Sequence, residues 1–135
     1  MNMNPIVKDV TTILQAAAVA TLGTDLFAGK EPNSPDNCIT IYNTGGTPDQ
    51  CLDLDSDDEL NTFQVRVRNN DYLAAYAVMD SIRDVIEKDK FAIVAGVGGS
   101  TYLSIWSTGL PNDLQRDETN RVIVVQNYAC LRYFE

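Results

Sequence analysis

Residues 63–88 read FQVRVRNNDYLAAYAVMDSIRDVIEK, and a change of period inside this stretch decides the fold. Phe63, Val65 and Val67 alternate with Gln64, Arg66 and Arg68, a period of two that predicts a strand with one apolar and one basic face. From Tyr72 the apolar residues move to helical spacing, with Tyr72, Tyr76, Met79, Ile82 and Ile86 sharing one side as far as about Lys88. Asn69 or Asn70 suits the N-cap between the two, and Asp71 complements the positive end of the helix. In a chain of 135 residues, a strand that runs straight into a helix predicts one domain in which both share a core.

Working towards the N-terminus, Cys38-Ile-Thr-Ile-Tyr42 is a β-branched run that reads as a second strand, closed by Asn43-Thr-Gly-Gly46. Between the two strands lies TPDQCLDLDSDDELN (47–61), an acidic, irregular stretch read as a loop. The segment from Thr21 to Pro35 is dense in Gly and Pro and reads as a connection. Before it, Ile6, Val10, Ile13, Leu14, Ala17 and Val19 give an apolar stripe that predicts a helix from Pro5 to about Ala20.

Working towards the C-terminus, Phe91–Val97 is apolar but ends among glycines, which suits a loop or short edge strand. Tyr102–Trp106 reads as a third strand, and Gly109–Asn120 is polar and turn-rich. Arg121–Phe134 reads as a fourth, long strand with Ile123, Val125, Ala129, Leu131 and Tyr133 on one face, interrupted by Asn127 at a possible bulge. The order α-β-β-α-β-β predicts an α+β fold, a four-stranded, mostly antiparallel sheet with two helices on one face. No internal repeat or linker divides it.

Composition excludes several function classes. There is no histidine, which removes the commonest general base and metal ligand and rules out Ser-His-Asp and Cys-His arrangements. The net charge of −9 opposes binding to phosphate backbones or to an anionic membrane. No apolar run reaches the roughly 18 residues of a membrane span, and the first residues, MNMNPIVKDV, lack the features of a secretion signal. Three cysteines, Cys38, Cys51 and Cys130, without a C-x-x-C pair, fit free thiols in a reducing compartment rather than a disulfide framework or a zinc site.

The motifs that could carry chemistry are incomplete. Asp53, Asp55 and Asp57 alternate as in a calcium loop, but Asp58 stands where the turn glycine belongs and Gln64 where the bidentate Glu belongs. The glycines of Val94–Ser100 have no Gly-Lys-Ser/Thr and no helix after them to hold a phosphate. None of Lys8, Lys30, Lys88 and Lys90 has an acid two residues before it, as a metal-dependent nuclease would want. The chain is therefore read as non-enzymatic and without a cofactor. Arg66 and Arg68, on one strand face, stand out with the acidic residues Asp53, Asp55, Asp57, Asp58 and Glu59. A basic strip on one copy and an acidic loop on the next would associate head-to-tail and close into a ring.

PDNCITIYNTGG (35–46) followed by FQVRVR (63–68) resembles the bacteriophage minor capsid and tail-terminator proteins, as does the Ala-rich helix opening at Tyr72. Tyr102–Trp106, Leu114-Gln-Arg-Asp-Glu118 and Arg121 continue the likeness, which spans residues 35 to 133. The chain departs from the family's pattern at Gln115, where a glycine is usual, and in its longer, more acidic loop from Asp49 to Glu59.

The resemblance implies a structural virion protein, a hexameric ring that ends tail-tube growth and meets the head-completion or connector proteins in the neck. DNA would pass through its lumen without specific binding, as the acidic composition favours. In this reading the protein assembles in the host cytoplasm, and Gly109, Leu110, Pro111 and Asn112 form the loop that docks a partner. A rival from another class is an acidic mimic of DNA that blocks a host DNA-binding protein.

Overall fold

The computed structural model describes residues 5–48, 59–88 and 100–134. Helix α1 (Ile6–Ala16) is followed by strands β1 (Leu26–Ala28), β2 (Cys38–Pro48) and β3 (Glu59–Asn69). Helix α2 (Tyr72–Arg83) continues into a π-helical turn (Asp84–Lys88), and β4 (Ser100–Ser107), β5 (Asn112–Asp113) and β6 (Val122–Phe134) complete the chain. The class is α+β.

The sheet has six strands rather than four. Its order is β1-β2-β3-β6-β4, with β5 also on β6, and β1 pairs with β2 in parallel while every other pairing is antiparallel. The two additions lie in stretches that the sequence marks as connections. Leu26–Ala28 alternates too briefly to announce a strand, and Asn112–Asp113 is a polar pair drawn onto β6 beside Val125 and Val124. The β3–β6 register runs unbroken through Gln64 opposite Asn127, so the irregularity suspected at Asn127 is absent. Bulges fall instead between Asn43 and Gly45 and between Tyr102 and Ser104.

Both helices contribute to one core on one face of the sheet. Ile6, Val10, Ile13 and Leu14 of α1 and Ala75, Met79 and Ile82 of α2, with Ile86 of the π-helical turn, pack on Ile39, Ile41, Phe63, Val65 and Val67. Phe63 stacks on Tyr128 with ring centroids 5.3 Å apart. Helix α1 ends at Ala16, four residues early, where Ala18 turns left-handed at φ 60°. The N-cap of α2 is Asp71, whose carboxylate accepts from the Ala74 N–H at 2.9 Å.

Strand β6 corrects the sequence in one respect. Residues paired directly across an antiparallel ladder point to the same side. Val124, Gln126, Tyr128 and Cys130, opposite Val67, Val65, Phe63 and Asn61, therefore face the helices. Ile123, Val125, Ala129 and Leu131, expected as the apolar face, lie on the other side with Arg68, Arg66, Thr62 and Leu60. The strand is apolar on both sides because both sides are covered over part of its length.

Candidate functional site: the second face of the sheet

The face away from the helices divides into two halves. Over one half, the connection between β1 and β2 folds back across the strands and is held there by arginines. Arg68, only 2% exposed, donates from Nη2 to the Pro35 carbonyl at 2.7 Å and from Nε to the Asp36 carbonyl at 3.1 Å. Arg121, buried at the start of β6, donates to the Asn33 carbonyl at 2.7 Å and to the Asp36 carboxylate at 3.2 Å. Glu31 lies between the strand arginines, 3.1 Å from Arg66 and 3.8 Å from Arg68, and its N–H donates to the Tyr42 hydroxyl. Asp117 fixes Arg121 from the other side at 2.8 Å. Burial pushes the Asp117 carboxyl up, but hydrogen bonds from the Arg121 N–H, its guanidinium and Thr119 outweigh that and hold it down at about 2.

The basic strip read from the sequence is paired within its own chain. Arg66 and Arg68 do share a face, but both turn to Glu31, and Arg68 reaches no solvent with which to meet another subunit. Of the acidic residues matched to them, Asp53, Asp55, Asp57 and Asp58 lie outside the described residues. Glu59 is bound within its own chain, 3.0 Å from Arg132, whose guanidinium also lies 3.3 Å from the fully buried Asp9. Glu31, Asp36 and Asp9 escape the sequence reading because their partners lie far along the chain. A signal existed in the unusual pairing of arginines with an apolar strand, since a cation among β-branched residues needs a local counter-charge.

The other half of the face is uncovered by any described element. Its rows follow the register: Leu60 with Leu131 and Ser104, then Thr62 with Ala129 and Trp106, then Gln64 with Asn127. Thr44 donates to Thr62 at 2.7 Å and the Gln64 amide donates to Asn127 at 3.1 Å. No Asp, Glu, Lys or Arg stands in these rows. Trp106 is 42% exposed, while its neighbour Ile105 turns to the core.

The loop after β4 sits at the end of this half. The Thr108 N–H donates to the Asn127 carbonyl at 3.0 Å, and Gln126 donates to the Gly109 carbonyl at 2.8 Å. At the loop's other end, Asp113 accepts from the Tyr76 and Tyr72 hydroxyls at 2.9 and 3.2 Å, which binds β5 to α2. Between these anchors Leu110 is 80% exposed, with Leu73 of α2 at 74%. Gly109, Leu110, Pro111 and Asn112 thus form a firmly footed loop with an apolar tip.

Among the described residues, no group of three or more Cys, Asp or Glu is placed to hold a metal ion. Burial pushes the Cys130 thiol up to about 12 and the Cys38 thiol upward as well, so neither supplies a nucleophilic thiolate. No described helix is long and apolar enough to cross a membrane.

The family model for the bacteriophage tail terminator protein matches residues 13–134. The chain belongs to the bacteriophage tail terminator family. Within that family it is a structural component of a phage virion. Its fold is shared with a chain from the virion of a native gene transfer agent particle, at a TM-score of 0.61 and 12% identity over 92% of this chain and 91% of that one. No curated protein matches it in sequence.

Proposed function

We propose that this tail-terminator family member is a non-catalytic, ring-forming subunit of the phage neck, assembled in the host cytoplasm. It ends growth of the tail tube and joins the tube to the head-completion or connector proteins, and six copies close around a lumen through which DNA passes without specific binding. The observation that carries this reading is the match of the tail terminator model across residues 13–134. The charge agrees with it, because subunits of net charge −9 repel the DNA that would pass between them.

In this reading the loop Gly109–Asn112 docks the tube or the connector. Its tip is an exposed leucine on a backbone anchored at both ends, an arrangement that presents apolar area at little cost in ordering. The Arg66 guanidinium, part-exposed beside Glu31, remains open to a neighbour's contact, whereas Arg68 serves the fold. The test is co-sedimentation of the purified protein with tail tubes. Wild-type protein binds tube ends and blocks further polymerisation, and Leu110→Asp, a solvent-side change, loses at least about tenfold in affinity. Failure of the wild-type protein to bind or cap tubes defeats the reading.

A further inference from the structure

The sequence suggested that copies meet by charge, basic strip to acidic loop, but both arginines of that strip pair with Glu31 of their own chain and Arg68 is buried. Arg66, Arg68, Arg83, Arg121 and Arg132 each pair with a carboxylate of their own chain. What remains outward is predominantly acidic, so two copies approaching at random repel one another. Contact between them costs least where charge is missing on both.

Such a place exists among the described residues. The uncovered half of the sheet's second face presents Thr62, Gln64, Asn127, Ser104, Leu131 and the exposed Trp106, with no ionisable side chain in its rows. Two of its polar pairs, Thr44 with Thr62 and Gln64 with Asn127, already hold a hydrogen bond each, which lowers the cost of covering them. Trp106 adds a large ring at its border, the kind of side chain that anchors protein interfaces. By contrast, α2 and the turn that follows it expose Asp80 and Asp84.

We propose that this uncharged half-face is the surface by which one copy of the chain binds the next. The inference rests on the ring-forming reading and supplies the contact that reading lacks. Nucleic acid and anionic membranes are poor occupants because the patch offers no cation. A different, uncharged protein is the competing occupant.

The test compares wild-type chain with Asn127→Asp, Ser104→Glu and a control, Ser81→Asp, by light scattering across concentration. Asn127→Asp keeps the acceptor that Gln64 uses, and all three variants add one negative charge. The wild type is expected to assemble, and the two patch variants to need about tenfold more protein or beyond for half-assembly, since each charge is desolvated at the contact. Ser81→Asp is expected to assemble like the wild type, and unchanged melting temperatures show that all variants are folded. Hydrogen exchange of the unmodified protein supplies a readout free of mutation: assembly should protect β4 and the middle of β6 and leave the exposed side of α2 unchanged.

Assembly unaffected by either patch variant, or protection confined to α2, overturns the proposed surface and leaves the ring reading standing. A dimer abolished by the patch variants supports the surface and counts against the ring. A wild-type chain that stays monomeric at every concentration while the patch becomes protected on adding tail tubes assigns the face to a different protein and overturns the proposal.

Discussion

A guanidinium buried under a loop is costly to desolvate, and the cost is met only by acceptors already in place. Arg68 has two backbone carbonyls and, at 3.8 Å, the Glu31 carboxylate. Replacing it removes a cation and also leaves the Pro35 and Asp36 carbonyls without their donor. Arg68→Glu should therefore lower unfolding stability by about 3 kcal/mol or more in urea melts, whereas Arg66→Glu, part-exposed and with one partner, should cost about 1 kcal/mol. Equal and negligible effects would mean that the loop is held by something else. The alternation that places these two arginines on one side of β3 is plain in FQVRVR. What the sequence could not show is which of them is covered, because the covering residues Glu31, Pro35 and Asp36 come from a connection more than thirty positions away.

At the scale of elements, local periodicity located the two helices and the four long strands, since each owes its form to a face that must be buried. It could not find β1 and β5, three and two residues long, whose existence depends on a neighbouring edge rather than on their own pattern. Nor could it choose the inward face of β6, where Val124 and Val125 point to opposite sides and both are buried. The β2–β3 hairpin offers a sharper case. Just past its bulge, Gly46 has φ 134°, and a Cβ there would be driven into the Leu60 carbonyl. Gly46→Ala should break the pairing of Gly46 with Asn61 and its neighbours, visible as faster amide exchange around residues 60–62 and a loss of about 1–3 kcal/mol. Wild-type exchange in the variant would contradict the strain assigned to this position.

For the whole molecule, the distribution of charge matters more than its sum. Ion pairs between copies weaken as salt rises, but an uncharged contact between two acidic bodies strengthens, because salt screens the repulsion around it over a Debye length of about 8 Å at physiological ionic strength. Raising salt from about 0.05 to 0.5 M should therefore favour assembly of this chain, with half-assembly moving to lower concentration in light scattering. Dissociation by salt would point back to head-to-tail charge pairing. The sequence carried the net charge and the absence of histidine, and with them the exclusion of histidine-dependent catalysis. It carried the family as well, through strings that recur in order. Which cations are paired within the chain stayed hidden, because that is a property of contacts and not of composition.

The loop stapled across one half of the sheet has a consequence of form. It pads one end of a surface whose other end no described element covers, so the described part of a subunit is thicker at one side than at the other, like a voussoir cut for an arch. A flat neighbour laid against the bare end meets the padding as a shoulder and settles at a tilt. If copies repeat that contact in the same sense, the tilt bends a row of subunits into a curve, and Arg68 and Arg121 would set its radius by how firmly they hold the padding down.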